Sequence, residues 1–385
     1  HRAVIDKGYV TPTAIQSKTI PLILQGRDLI GSAPTGTGKT AAFALPILSR
    51  IAEDDDCQVL VLSPTRELAM QAEANFENYG TNIKLRSALV YGGVGYGKQI
   101  EDLNARPHVV IATPGRLLDH ISEKRINLKS FNILVLDEVD RMLDMGFIDD
   151  VRRIVNLCSK ERQTLLFSAT IPDAINQLAR WALIDPVSVD AGQRRTPAET
   201  VDHALYPVDA IQKYDLLLAL LQGCDYSSVI VFTRTKRDAD RIAEWLSAHE
   251  MTCETLHADR NQRDRQRALE GFKNGDFGIL VATDVASRGL DISDISHVIN
   301  FNVPANAEDY VHRIGRTGRA NKEGTAYTLF SSDEYSYVAG IEKYIEQPVP
   351  KRKLEGFSYR HEPNLQTVNT GKPARRRMTR RGSRR

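Results

Sequence analysis

Short apolar runs alternate along this chain with longer stretches that have helical periodicity. Each run has four to six residues and is followed by a polar or glycine-rich turn. This alternation is typical of a parallel α/β sheet, whose strands are buried on both faces and are joined by crossover helices. The predicted strands lie at residues 59–63, 108–113, 133–137, 165–170, 228–233, 253–257, 278–283, 297–301 and 325–330.

The strands fall into two sets, and the segment between them contains Pro186, Gly192, Arg194, Arg195 and Pro197. Proline and glycine interrupt helices, so this segment indicates a domain boundary near residue 195. At 385 residues the chain has room for two domains, each with its own core. The predicted fold class is therefore α/β. The predicted divisions are parallel-sheet domains at 1–195 and 196–348, and a basic, disordered C-terminal tail at 349–385.

The tail carries a large share of the basic charge. Residues 351–385 contain 12 Lys and Arg against two Glu, whereas residues 1–350 contain 39 basic and 47 acidic residues. A basic run of this kind attracts polyanions without sequence preference. A segment that serves only solubility stays open as an alternative.

Composition excludes several classes of protein. Hydrophobic residues make up 42% and charged residues 26% of the chain, which are values typical of globular proteins. No apolar run approaches the roughly 20 residues that span a bilayer, and no secretory signal opens the chain. We therefore expect a cytoplasmic protein that makes no membrane contact.

A strand, a glycine-rich loop and a helix follow one another near the start of the chain. The loop runs from Gly31 to Thr40 as GSAPTGTGKT. Its glycines let backbone N–H groups turn toward phosphate oxygens, Lys39 can neutralise the β and γ phosphates, and Thr40 can hold Mg²⁺. A merely structural turn is the alternative. The predicted nucleotide-binding residues of this loop are Thr35, Gly36, Thr37, Gly38, Lys39 and Thr40.

Carboxylates crowd the end of the predicted strand at 133–137. Asp137, Glu138 and Asp140 would repel one another unless a cation shares their site. Asp137 can then position Mg²⁺, and Glu138 can polarise the water that attacks the γ phosphate. Asp140 would equally suit a helix N-cap. The sequence therefore predicts ATP and Mg²⁺ as cofactors, with Thr40 and Asp137 as metal ligands.

The second half of the sequence lacks a phosphate loop and ends in YVHRIGRTGR, residues 310–319. Arg316 and Arg319 lie beside glycines there, without carboxylates nearby in the sequence. An arginine placed on the γ phosphate stabilises transition-state charge by on the order of 10³ to 10⁵ in rate. A basic loop that serves only RNA is the alternative.

The segments APTGTGKT, DEVD and SAT, in this order, resemble the DEAD-box RNA helicases, a family of two tandem RecA-like domains. Val139 stands where the family usually has alanine, and since valine removes no ligand we expect activity to survive. The resemblance covers almost all of residues 8–319. It implies that ATP and RNA both favour closure of the two domains, with local duplex unwinding or remodelling of RNA–protein complexes.

The resemblance also implies roles for single residues. The segment GYVTPTAIQ implies that Gln16 reads the adenine edge with support from Thr13 and Tyr9, and that the family's upstream aromatic residue would precede His1. The other implied ATP contacts are Gly289, Asp291, Arg316 and Arg319. The residues implied in coupling between domains are Asp140, Ser168, Thr170 and His312. The implied RNA contacts are Pro64, Thr65, Arg66, Gly93, Thr113, Arg116, Thr233, Arg234, Thr283 and Asp284.

Three functions stay open on the sequence. The first is an RNA-stimulated ATPase that separates strands, the second is an ATP-gated RNA clamp with little unwinding, and the third is a DNA helicase of the wider superfamily. We expect a monomer that binds single-stranded or short duplex RNA with little sequence selectivity, because the implied contacts are to the backbone. A loose similarity of RMLDMGF and the segment after residue 350 to RhlE-type members implies ribosome assembly or RNA turnover.

Overall fold

The computed structural model describes residues 2–34, 36–192, 200–257, 259–284, 295–318 and 323–361. These residues form two compact units, one on each side of the segment 193–199. Each unit is built on one parallel β-sheet. Two parallel-sheet α/β units were the fold class predicted from the sequence, and this prediction is confirmed. The predicted boundary near residue 195 falls outside the described residues.

The first unit contains a seven-stranded parallel sheet. Its strands are β1 Leu29–Ser32, β2 Val59–Leu62, β3 Ser87–Val90, β4 Val109–Ala112, β5 Ile133–Leu136, β6 Gln163–Ser168 and β7 Val187–Asp190. Its α-helices are α1 Arg2–Asp6, α2 Ala14–Leu24, α3 Lys39–Glu53, α4 Arg66–Tyr79, α5 Gly97–Asn104, α6 Pro114–Ser122, α7 Val139–Asp144, α8 Ile148–Leu157 and α9 Asp173–Ala182. The strand order is β3-β4-β2-β5-β6-β1-β7.

Both faces of this sheet are buried. Leu134 and Leu136 of β5 pack into the core on one face, and Ile133 and Val135 pack into the core on the other. Continuous burial explains why the central strands read as uninterrupted apolar runs. Since β5, β6 and β1 are neighbours, the segments that follow them meet at the carboxyl edge of the sheet, where ligands bind in folds of this class.

The second unit contains a six-stranded parallel sheet of order β10-β11-β9-β12-β13-β8. Its strands are β8 Val201–Pro207, β9 Val229–Thr233, β10 Cys253–Leu256, β11 Ile279–Thr283, β12 His297–Asn300 and β13 Gly324–Phe330. Its described α-helices are α10 Lys213–Gly223, α11 Lys236–Ala248, α12 Gln262–Asn274, α13 Ala307–Ile314 and α14 Tyr335–Ile345. Short 3-10 helices lie at Leu128–Ser130 in the first unit and at Ala210–Gln212 and Ser332–Glu334 in the second unit.

Three strands escaped prediction, and all three lie at the edge of a sheet. They are β3, β7 and β8. The strand β7 occupies part of the segment that the sequence assigned to the domain boundary, and it pairs with β1 in the register Leu29↔Val187. Its residues are half-buried or exposed except Val189, so it carries no continuous apolar run.

Residues 350–361 differ from the disordered tail that the sequence predicted. The N–H of Leu205 donates to the Pro350 carbonyl at 2.8 Å, and the N–H of Arg352 donates to the Leu205 carbonyl at 2.8 Å. The segment therefore covers part of the open edge of β8, a position where exposed N–H and C=O groups need partners. Apolar side chains that the charge pattern concealed, Leu354, Phe357 and Tyr359, pack against the core of this unit.

The remaining predicted tail, residues 362–385, lies outside the described part of the chain. Within that described part, no helix is both long and apolar enough to cross a membrane.

Candidate functional site

Lys39, the first residue of α3, occupies the centre of the candidate site in the first unit. Its ammonium donates to the Ala33 carbonyl at 2.9 Å and forms an ion pair with Glu138, with 2.9 Å between Nζ and Oε1. The two side chains are only 5% and 6% exposed. The loop lysine and the predicted water-polarising carboxylate therefore lie in direct contact.

Gln16 connects the start of α2 to the phosphate loop. Its Oε1 accepts a hydrogen bond from the Thr13 N–H at 3.0 Å, and its Nε2 donates to the Gly38 carbonyl at 3.2 Å. Gly38 has a φ of 87°, and a Cβ on it would lie 2.3 Å from Nε2 of Gln16. Glycine alone suits both requirements, the backbone conformation and the close approach. The structure thus brings Gln16, the residue implied to read the adenine edge, into contact with the loop itself.

The other predicted residues of the loop and of the adenine segment make contacts that are separate from the one between Gln16 and Gly38. The Thr37 hydroxyl donates to the Pro34 carbonyl at 2.7 Å, which closes the turn. Gly36 has a φ of 83°. Tyr9 lies against Tyr79 instead, with 3.3 Å between the two hydroxyl oxygens, and its side chain faces solvent. A nucleotide contact by Tyr9 stays a prediction.

Asp137 and Glu138 follow directly after β5 and therefore lie at the same carboxyl edge of the sheet. Glu138 has a φ of 55°, which is uncommon for a residue other than glycine. Its carboxylate lies between two cations, Lys39 and Arg141, whose Nε is 3.1 Å from Oε2 of Glu138. Asp137 is buried, and burial together with the neighbouring Glu138 charge raises the pKa of Asp137 to about 7.

The donor set fits a nucleotide-bound Mg²⁺. In such sites one or two protein ligands hold the ion, and phosphate oxygens and water complete its coordination. Asp137 is a buried carboxylate whose ionisation a cation would favour. Thr40 is half-buried at the second position of α3. No group of three or more His, Cys, Asp or Glu side chains in the described ranges could hold a metal without such phosphate ligands.

Asp140 joins the ends of β5 and β6. Its Oδ2 accepts from the N–H groups of Ala169 and Thr170 at 3.0 and 3.1 Å, and its own N–H donates to the Ser168 hydroxyl at 3.1 Å. Glu138, not Asp140, holds the N-cap position of α7, but Asp140 lies in the first turn of that helix, where the helix dipole favours a carboxylate. The three predicted coupling residues of the first unit thus form one hydrogen-bonded corner.

Val139, which stands between Glu138 and Asp140 in the sequence, is fully buried. It packs into the apolar core of the first unit, which accommodates its methyl groups. Glu138 and Asp140, on either side of it, make the contacts described above.

Arg66 and Gly93 contact each other at the predicted nucleic-acid face of the first unit. An ideal Cβ on Gly93 would lie 2.3 to 2.5 Å from the guanidinium of Arg66, and Gly93 has a φ of 83°. Thr65 caps α4, since its hydroxyl accepts from the Leu68 N–H at 3.2 Å. Pro64 is buried just before it.

Arg116 occupies a different environment from the one predicted. Its side chain is buried, and both of its Nη atoms lie 3.1 Å from the Val94 carbonyl. It also donates to Oε1 of Gln99 at 3.3 Å and lies 4.1 Å from the centre of the Tyr96 ring. Arg116 therefore shapes the loop that follows Gly93, and a direct contact with RNA stays a prediction. Thr113 holds the N-cap position of α6.

The predicted RNA residues of the second unit cluster at the carboxyl ends of β9 and β11. Thr233 is fully buried, and its hydroxyl donates to Oδ1 of Asn302 at 3.0 Å. Thr283 is also buried. The Asp284 carboxylate accepts two hydrogen bonds of 2.6 Å from the Arg313 guanidinium. These side chains contact their own unit, whereas Arg234 keeps 46% of its side chain exposed.

Arg316 is 8% exposed, although its sequence context suggested an arginine available for a phosphate. His312 lies on α13, with its Nε2 3.8 Å from the Glu308 carboxylate. The other predicted site residues lie outside the described ranges: Thr35, Gly289, Asp291 and Arg319.

Two family models match this chain. The DEAD/DEAH box helicase model matches residues 13–178, and the model of the helicase conserved C-terminal domain matches residues 212–321. The chain is 43% identical over 348 residues to the DEAD-box ATP-dependent RNA helicase RhpA of Helicobacter pylori (strain ATCC 700392 / 26695), which covers 90% of this chain and 71% of that one. The chain belongs to the DEAD-box ATP-dependent RNA helicases.

Other relatives of this DEAD-box helicase agree. The DEAD-box ATP-dependent RNA helicase CshA of Bacillus subtilis (strain 168) is 42% identical over 371 residues, covering 96% of this chain and 74% of that one. The S. cerevisiae Dbp5 structure bound to RNA and ADP BeF3 has 31% identity, a TM-score of 0.81 and 92% coverage of each chain. The predicted enzyme class, an ATP-dependent RNA helicase, is confirmed.

Arg141 is a residue of the helicase site that the sequence did not indicate. It is buried on α7 and contacts Glu138, as described above. The available signal was its spacing, since a basic residue three positions after a carboxylate on a helix can pair with it. Arg141 provides a second cation beside Glu138, in addition to Lys39.

Proposed function

We propose that this helicase hydrolyses ATP at its first unit and uses ATP and RNA together to close its two units on single-stranded RNA. Closure would separate a short duplex locally or remodel an RNA–protein complex. The Lys39–Glu138 contact carries the proposal, because it places a phosphate-binding cation and a water-polarising carboxylate 2.9 Å apart at one sheet edge.

Each residue at this edge has a definite role in the proposal. Lys39 exchanges Glu138 for the β and γ phosphates, which leaves the Glu138 carboxylate able to orient and polarise the attacking water. Thr40 and Asp137 would hold Mg²⁺, which when bound neutralises charge that develops on the phosphate oxygens. Arg316, Arg319, Gly289 and Asp291 are proposed to contribute ATP contacts from the second unit.

RNA binding is proposed at the carboxyl edges of both sheets. Arg66 and the half-exposed Arg234 supply positive charge there. Gly93, which contacts Arg66, has no side chain and would let an RNA strand approach the backbone closely. Contacts of this kind to phosphate and ribose hold a strand without reading its bases. If RNA and ATP both favour the closed state, each strengthens the binding of the other by the same factor.

The test is steady-state ATP hydrolysis with and without single-stranded RNA. We expect RNA to stimulate turnover, and we expect Lys39→Ala to remove both the basal and the stimulated rates. A folded protein whose rate RNA does not change would contradict the proposal. A duplex-release assay then separates unwinding from a clamp, which would protect RNA without releasing the second strand.

Competition by DNA oligonucleotides tests the DNA alternative, because 2′-hydroxyl contacts distinguish RNA from DNA. A monomeric state, a cytoplasmic location and a role in ribosome assembly or RNA turnover stay predictions from the sequence. Crosslinking followed by sequencing of the bound cellular RNA would test the last of these.

A further inference from the structure

A buried ion pair lies beneath the carboxyl edge of the second sheet. Lys213 begins α10 and Glu334 ends a 3-10 helix, and both side chains are almost fully buried. The Lys213 ammonium contacts the Glu334 carboxylate and donates to the Phe301 carbonyl at 3.0 Å. Burial lowers the pKa of Lys213 although the Glu334 charge opposes this shift.

Glu334 reaches beyond this pair to the surface. Its Oε1 accepts from Nη2 of Arg234 at 3.3 Å and from the Val303 N–H at 3.2 Å. The same Nη2 donates to the Val303 carbonyl at 3.2 Å, and the Arg234 guanidinium carbon lies 5.3 Å from the centre of the Tyr337 ring. Nη2 of Arg234 thus forms hydrogen bonds with groups of its own unit, while the side chain as a whole stays 46% exposed.

Two cations and two carboxylates lie in this cluster. Lys213 and Arg234 share the carboxylate of Glu334, and the neighbouring Asp333 carboxylate interacts with both cations. Arg234 is the more exposed of the two cations, so it is the one that can attract a phosphate. Stability alone is a weak reason for such a group, because apolar side chains of similar volume often replace a buried ion pair without loss.

We propose that Glu334 is a positioning residue for RNA binding, which holds the Arg234 guanidinium in one orientation toward an RNA phosphate. Lys213 pairs with the other carboxylate oxygen, so that Glu334 can orient Arg234 without leaving a buried negative charge uncompensated. This inference rests on the proposed function, in which Arg234 contacts RNA.

The test is a double-mutant cycle with Arg234→Ala and Glu334→Gln, in which a labelled single-stranded RNA reports affinity by fluorescence anisotropy. We expect Glu334→Gln to weaken binding by roughly three- to tenfold, the factor that corresponds to immobilising one long side chain on binding. In the Arg234→Ala background, Glu334→Gln should have no further effect. A residue that supports only the fold would weaken binding equally in both backgrounds.

Two further variants control for folding. Glu334→Gln alone leaves the Lys213 charge buried with a neutral partner, whereas Lys213→Met combined with Glu334→Gln leaves no uncompensated buried charge. We expect the combined variant to fold and to bind RNA as weakly as Glu334→Gln. Glu355→Gln removes an exposed carboxylate from the same unit and should leave affinity unchanged. ATP affinity measured without RNA should stay constant in all variants, because none of them replaces a residue with a proposed ATP contact.

Normal RNA affinity in the combined variant would overturn the inference, and so would an equal loss in the Arg234→Ala background. If Arg234→Ala itself binds RNA normally, the contact that Glu334 positions does not exist, and the inference is wrong. If the unsubstituted protein fails to bind RNA, the proposed function is wrong, which is a separate result.

Discussion

Substitution of Gly93 tests the predicted RNA face of the first unit most directly. A Cβ at this position would lie 2.3 Å from the nearest nitrogen of the Arg66 guanidinium. Because non-bonded heavy atoms rest about 3.5 Å apart, the guanidinium would have to move by about 1 Å. Gly93→Ala therefore displaces Arg66 without removing any of its charge.

Two magnitudes follow from this geometry. Alanine at a φ of 83° costs roughly 1 to 2 kcal/mol. In a unit of this size, that cost should lower the melting temperature by about 2 to 8 °C. A charge-assisted hydrogen bond contributes about 1.5 kcal/mol or more, so loss of an Arg66–phosphate contact should weaken RNA binding at least about tenfold.

Gly92→Ala is the matched control. A Cβ on Gly92 would meet no atom within 4 Å. We therefore expect Gly92→Ala to bind RNA normally, while Gly93→Ala binds weakly at a temperature where both are folded. Fluorescence anisotropy with a labelled single-stranded RNA measures the affinities, and thermal unfolding measures the stabilities.

Normal RNA affinity of Gly93→Ala would refute the assignment of Arg66 to RNA. Equal losses in the two glycine variants would also refute it, because flexibility of the loop, and not the position of Arg66, would then determine affinity.

Three further predictions concern catalysis, the tail and pH. Glu138→Gln should keep ATP and RNA binding but abolish turnover, because an amide cannot polarise the attacking water; normal ATPase turnover would contradict this. Deletion after Thr370 should weaken RNA binding and reduce its salt dependence, whereas an unchanged salt slope would favour a role in solubility. Burial and the nearby Arg125 charge lower the pKa of His120 in the folded state. Below about pH 6.5 the unfolded chain therefore binds a proton at His120 more readily than the folded protein does. The free energy of unfolding should fall as the pH drops below this value. His120→Gln should flatten this dependence in urea unfolding at pH 5 and 7.

The central strands were predictable because their burial is continuous. Every residue of β5 is buried, and its sequence, ILVL, shows this directly. The edge strand β7 has a neighbouring strand on one side only. Its polar residues Ser188 and Asp190 interrupt the apolar pattern by which a strand is predicted. Charge misled the prediction for residues 350–361, where basic residues dominate the composition while Phe357 and Tyr359 pack against the core.

The site was predictable where its residues are close in sequence. Lys39 follows the glycine-rich loop, Glu138 follows β5, and each belongs to a local sequence pattern. The pair Lys213 and Glu334 is separated by 121 positions, so only the fold reveals it. Arg116 shows a different limit, because its sequence context does not reveal that its side chain is buried and donates to the Val94 carbonyl.

The contact between Lys39 and Glu138 makes ATP binding an exchange reaction. Glu138 pairs with the Lys39 ammonium that the phosphates would contact, so the carboxylate and ATP compete for the same cation. A measured ATP affinity is then the difference between the new contact and the one that is lost. Glu138→Gln, which has no charge to compete with, should bind ATP more tightly than the unsubstituted enzyme. After hydrolysis, Glu138 can pair with Lys39 again, which should assist release of the products. The same carboxylate would then serve both the hydrolysis step and the release step.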